Sequence, residues 1–352
     1  MQRCMTTPII PHVKLWPSFM LALLLGSSVW ISGCTDEVED ETVPDLEPKV
    51  VRFEQKLAQA AENGPAQVAL LRNDHPIFYA LLVEEMLGMG PSDSNITADY
   101  LCAFQRDRYT DSLTTDILNS FPIEKDPLLY KNLPSAIARF RKAFDSPTPR
   151  QITTFLSGFR YQAALDDRGD LLIGLDTYLG QNYRYYSTAP YIYEYQTRRM
   201  TRDYLVADAL RLLVQDQISP PQSTASLLEE MITSGKIHYA IRRLLPGISD
   251  SSLFRYTGAQ VSWAKQYEKD IWQYLMTQNL IFSSERRSKS RFLEDGPATL
   301  ELDPKAPPRL GEWIGNGIVE RYMKKHPEIS LPELLTKSTS EIFKESGYRG
   351  ER

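Results

Sequence analysis

Cys34 has the clearest chemical context in the 352-residue chain. It ends Ile31-Ser-Gly-Cys34, two small residues directly before a thiol, which is a lipobox. In that chemistry the thiol is alkylated by a diacylglycerol and the peptide bond before it is cut. Small preceding side chains fit the peptidase. The residues ahead of Cys34 suit such processing: a weakly basic start with Arg3, His12 and Lys14, then an almost wholly apolar run over 15–31. That run is short for a spanning helix, which needs about 20 apolar residues, and matches a signal-peptide core. The reading is a signal peptide over 1–33, lipidation of Cys34, and a membrane as the first partner. The stretch 34–49, acidic and proline-containing, reads as an extended tether.

Other groups able to do chemistry are few. Beyond the leader the histidines are His75, His238 and His326, and none lies between the first two. An H-E-x-x-H zinc helix needs two imidazoles at i and i+4 on one face. None exists here, and there is no C-x-x-C pair, G-x-S-x-G elbow, P-loop or G-x-G-x-x-G after a strand. Asp166-Asp167 and Glu229-Glu230 read as a turn and a helix start. No cofactor or metal is expected. Seven of 19 tyrosines fall within 178–195. Among them Tyr183, Tyr185, Tyr186 and Tyr193 offer an apolar face with a hydroxyl, suited to a glycan- or protein-binding surface. The other reading is a long ordered loop over the sheet with its rings buried. Net charge is −5, or −7 beyond residue 33, with no basic block. Nucleic acid, which draws on phosphate neutralisation, is therefore excluded as a partner.

The elements that must position these groups are mainly helical. A hydrophobic fraction of 42% with 24% charge is that of a globular chain, neither disordered nor multi-spanning. Amphipathic helices are expected over 49–62, 77–87, 135–144, 202–217 and 310–325. Ser226-Leu-Leu-Glu229 and Thr257-Gly-Ala-Gln260 are capping boxes, the second opening one long helix to residue 279. Ser330-Leu-Pro-Glu333 and Ser338-Thr-Ser-Glu341 cap two short terminal helices, the last stopped by Gly347. Short β-type runs at 151–157, 161–165 and 170–175 predict a small, mostly antiparallel sheet in the middle of the chain. The class is α+β, predominantly helical, as a single domain over 50–352. Gly235 interrupts a helix at a cost of about 1 kcal/mol against Ala and so needs a reason, such as close approach of another helix. Gly311, Gly315 and Gly317 raise the same question.

Taken together, TFLSGF (154–159), LLIGLDTYLGQNYRYY (171–186), MITSGKIHYAIRRLLPGISDSSLFRYT (231–257), WAKQYEKDIWQYLMTQNLIFSS (263–284) and PPRLGEWIGNGIVERYM (307–323) resemble the gliding-motility lipoprotein GldB family of Bacteroidetes. The resemblance covers roughly 50–350. It implies an envelope lipoprotein, with the outer membrane favoured, that is needed for gliding and works with other gliding and type IX secretion proteins.

The layout also resembles a family of predicted zinc peptidases related to the zincins. That likeness implies a zincin-like fold in which helix 202–217 would carry the two histidines and an E-G-x-A glutamate would fall at Ser234. All three ligands are missing here. A non-catalytic protein is therefore expected, with Asp208, Ser234, Gly235 and His238 marking a degenerate cleft. The second reading left open is an altered hydrolase using Asp208, Glu229 or His238, and Gly235 is expected to serve a tight contact with helix 202–217. The tyrosine cluster keeps a third reading open, a glycan- or peptidoglycan-binding lipoprotein.

Overall fold

A β-branched pair, Val50-Val51, opens the structure as a strand: β1 (Lys49–Arg52) pairs in parallel with β2 (Gln151–Phe155). The expected helix over 49–62 therefore begins later, as α1 (Phe53–Glu62). The computed structural model describes residues 47–351, all within one unit spanning 42–352. Cys34 and nearly all of the expected tether lie outside the described residues.

The sheet has the order β1-β2-β4-β3, with β3 (Ala163–Leu165) and β4 (Leu171–Gly174). Pairs β1–β2 and β2–β4 are parallel and only β3–β4 is antiparallel, so the expectation of a mostly antiparallel sheet is corrected. The physical reason is burial on both faces. Ile152, Leu171 and Ile173 join one core, while Phe155 and Leu172 join another. Continuous apolar runs such as Leu171-Leu-Ile-Gly174 are what a parallel sheet covered on both sides requires.

One face is covered by α1, α2 (Pro65–Asp74), α3 (Pro76–Ala80) and α4 (Asn95–Arg106), which with β2 and β4 supply the smaller core. The larger core lies on the other face. It begins with α5 (Arg108–Ser120) and α6 (Leu133–Phe144), the latter opened by Pro134. A tyrosine-rich segment holding the single turn α7 (Glu194–Thr197) leads to α8 (Leu205–Asp216), preceded by a 3₁₀ turn at Arg202–Tyr204. Then follow α9 (Leu227–Leu244), α10 (Asp250–Phe254), α11 (Gly258–Gln266) and α12 (Glu268–Thr277). The expected single helix to residue 279 breaks at Tyr267, whose ψ is 11°. The chain ends with α13 (Arg286–Leu293), α14 (Leu310–Lys325), α15 (Leu331–Thr336) and α16 (Thr339–Ser346). Capping boxes at Ser226, Thr257 and Ser330 are formed in both directions, and Ser338 caps α16. Gly347 closes it at φ 58°.

The glycines explain the centre. A Cβ on Gly315 would lie 1.7 Å from the carbonyl oxygen of Met231, and one on Gly235 would lie 2.3 Å from that of Gly315. Helices α9 and α14 thus touch backbone to backbone. The partner of Gly235 is α14, not helix 202–217 as expected. Gly315→Ala places a methyl group in that contact, and overpacking of this kind costs about 1–3 kcal/mol or more. Gly258 has nothing within 4 Å of its Cβ position. Thermal denaturation should show a clear loss for Gly315→Ala and a change within about 0.5 kcal/mol for Gly258→Ala.

Candidate functional site

Three helices meet around a buried charged network. On α8, Asp208 and Arg211 stand one turn apart on the same face, as residues at i and i+3 do. Asp208 accepts hydrogen bonds from the guanidinium of Arg255, Nε at 3.1 Å, and from the Tyr178 hydroxyl at 3.2 Å. Arg255 is aimed there by a left-handed backbone, φ 57°, directly after α10. Burial pulls the Arg255 guanidinium down, but the Asp208 charge and hydrogen bonds outweigh it and hold it above its ordinary value.

His238 on α9 is fully buried and stacks on Phe254 at 4.8 Å. Its Nδ1 lies 2.7 Å from the Ser234 carbonyl oxygen, which can only accept, so Nδ1 carries the proton. Its Nε2 then accepts from Arg211 at 3.2 Å. Glu312, on α14, approaches the same Nε2 at 3.3 Å and also pairs with Arg309. Burial and the Arg211 charge push the imidazole below its usual value, against the pull of Glu312. Burial raises Glu312, yet the Arg309 charge, followed by that of Arg211, holds it well below the carboxylate range. Arg211, also donating to the Leu253 carbonyl at 2.7 Å, is lowered to about 10 by burial and then by Arg255. The imidazole has both nitrogens engaged. Neither lone pair nor proton is free for transfer in this arrangement.

Of the residues singled out for a degenerate cleft, Asp208 and His238 share this network through Arg211, and Gly235 supplies the helix contact beneath it. Ser234 contributes only its carbonyl. The serine itself faces a separate groove with Gln215, Pro220, Glu230 and Leu293. Among the described residues no three His, Cys, Asp or Glu side chains converge as a metal would require. Arg211, Arg255, Arg309 and Glu312 were not singled out from the sequence. Arg309 and Glu312 lie beside the unexplained Gly311, the one sequence signal near any of the four; Arg211 and Arg255 had none.

The tyrosines divide. Tyr178 and Tyr186 are buried, Tyr186 donating to the Asp176 carbonyl at 2.9 Å. Tyr183 donates to Asp116 at 2.8 Å and meets Phe159 and Tyr186 edge-on. Tyr185 is half-buried, packed against Tyr109 at 4.5 Å and covered by Arg184. Tyr193 is 61% exposed and stacks on Tyr195. Most of the cluster ties the segment over the sheet, and its far end faces solvent.

A family model described as gliding motility protein GldB matches residues 34–350. No curated protein and no solved structure matches the chain. The family match covers nearly the whole chain, which belongs to this family and so to the proteins of gliding motility.

The His238 environment has a pH signature. The folded protein holds the imidazole neutral, while the unfolded chain takes up a proton near pH 6.5. Its contribution is therefore present above that pH and lost on acidification, by at most about 1.4 kcal/mol per pH unit. Asp176, raised to about 6 by burial against the Phe159 and Ser157 hydrogen bonds, works oppositely: its contribution is full below pH 3.8 and lost as pH rises through 6. Comparison with His238→Gln isolates the imidazole. The stability gap between wild type and variant, from chemical denaturation, should narrow from pH 7 to pH 5. A gap constant with pH would mean that folded and unfolded states bind the proton equally.

Proposed function

We propose, with membership of the GldB family as the premise, that the chain is a lipid-anchored envelope protein with a non-catalytic role in gliding. Cys34 holds it to the membrane, the outer one favoured, and its partners are other gliding and type IX secretion proteins. The observation that carries the anchor is a coincidence of position. The family match begins at residue 34, where the lipobox places the lipidated cysteine. Two acyl chains suffice for stable attachment, each buried CH₂ contributing about 0.8 kcal/mol. No helix among the described residues is long and apolar enough to cross a membrane.

The non-catalytic half is supported by the closed network. A hydrolase needs a base or a metal with an open position facing substrate. Here Asp208 is held by Arg255 and Tyr178, and His238 by Ser234 and Arg211. The likeness to zinc peptidases fits a scaffold whose former cleft has been filled by internal pairs.

Two variants test the reading. Cys34→Ala should leave the protein unprocessed or soluble on cell fractionation and should abolish gliding. Normal processing with retained membrane attachment and gliding would defeat the anchor. Ser234→Ala should glide as wild type with unchanged thermal stability. A folded, non-gliding Ser234→Ala protein would return the hydroxyl to a reaction and defeat the non-catalytic reading.

A further inference from the structure

The segment between β4 and α8 folds back beside the turn that follows β2, and between them lies a pocket of 390 Å³. That is within the range of about 300–1,000 Å³ typical of small-molecule sites. One wall is the turn holding Phe159, Arg160 and Gln162. The other carries Tyr191, Gln196 and Arg199.

The turn is rigidly made. Gly158 and Phe159 both have left-handed backbones, and the buried Asp176 carboxylate accepts from the amides of Ser157 at 3.0 Å and Phe159 at 2.5 Å. Tyr191 is fixed to the same turn by its hydroxyl, which donates to the Gly158 carbonyl at 2.6 Å. Arg160 therefore leaves a fixed point outward, its guanidinium 5.9 Å from the centre of the Tyr191 ring. Among the described residues it forms no salt bridge and no hydrogen bond. Gln196 spends its amide oxygen on the Tyr193 backbone N–H at 3.0 Å, which leaves its NH₂ as the group to offer a ligand.

Charge behind the pocket points the same way. Arg199 pairs with Asp295 at 2.5 Å, and the Arg255 and Arg309 charges lie close enough to act on it. The buried network thus holds four guanidinium groups, of Arg199, Arg211, Arg255 and Arg309, against the carboxylates of Asp208, Asp295 and Glu312. Two carboxylates lie by the pocket, Asp295 paired with Arg199 and Asp176 hydrogen-bonded by the turn amides, and neither pairs with Arg160. A fixed outward arginine without an acidic partner and a spare amide donor call for an anionic acceptor. Of the apolar lining residues Phe159 and Met200 are buried, while the Tyr191 ring, with Ile192 half-buried beside it, is exposed to the pocket. An exposed tyrosine face next to a side-chain amide suits the apolar face and the hydroxyls of a sugar ring.

We propose that this pocket binds a carboxylated sugar unit, with Arg160 contacting the carboxylate and Gln196 a neighbouring hydroxyl. The site is independent of the anchoring role and stands or falls separately. The test uses the full chain in detergent at low salt, titrated by calorimetry with digalacturonate, neutral cellobiose and free triglycine. Digalacturonate should bind, cellobiose at least tenfold more weakly, and Arg160→Ala should lose at least tenfold with an unchanged melting temperature. Arg160→Lys should recover part of that loss, and Gln196→Ala should weaken binding without moving the melting temperature. Absence of digalacturonate binding, or equal binding by Arg160→Ala, would overturn the proposal. Triglycine binding as well as or better than digalacturonate would overturn the sugar assignment in favour of a peptide carboxylate.

Discussion

Everything around the charged network depends on two helices approaching without side chains between them. At Gly235 and Gly315 the backbones of α9 and α14 are in contact, closer than helices separated by ordinary side chains can come. His238 lies three residues beyond one glycine and Glu312 three before the other, about one helical turn away in each case. The contact therefore brings imidazole and carboxylate within 3.3 Å. Gly311 extends the same arrangement, since a Cβ there would meet Leu293 at 2.8 Å and the Phe292 carbonyl at 2.9 Å. A helix pays conformational entropy for each such glycine. What offsets it is the burial of Met231, Trp313, Ile314 and Ile318 around the contact.

Burying so many charges does not by itself stabilise a fold. The desolvation of each ion is several kcal/mol, and mutual attraction repays it only with good geometry. The geometry here is specific: Arg255 is a fork on Asp208, and Arg309 bridges Glu312 and Asp295. Removing one member leaves its partner charged and dry, which costs more than the pair contributed. A network of this kind selects one arrangement of α8, α9 and α14 over others rather than adding much net stability.

The local features of this fold were legible in the sequence and the non-local ones were not. Capping boxes at Ser226, Thr257 and Ser330 are four-residue statements, and the helices begin where they say. The helical dominance followed from apolar periodicity. Strand direction did not, because β1 finds β2 across about 100 residues and a four-residue run carries no mark of its partner. The same distance hid the network. Most charged residues lie at the surface, and nothing local sets Arg211, Arg255 and Glu312 apart from those; only their meeting in space makes them a site. The unexplained glycines were the one local trace, for a glycine inside a helix marks what must come close.

The tyrosine-rich segment shows how the two levels join. Its aromatic composition admits either a binding face or a buried strap, and the structure divides it. Tyr178 reaches down to Asp208, and Tyr186 to the Asp176 carbonyl, so the near end belongs to the core. Tyr191 holds the Gly158 turn from outside, at 45% exposure. Asp176 is the pivot: its carboxylate orders the turn that presents Arg160, while its backbone carbonyl anchors Tyr186. The segment thus links the closed network to an outward arginine through one buried acid. The fold that engages Asp208 and His238 internally also fixes the geometry of a pocket a short distance along the chain.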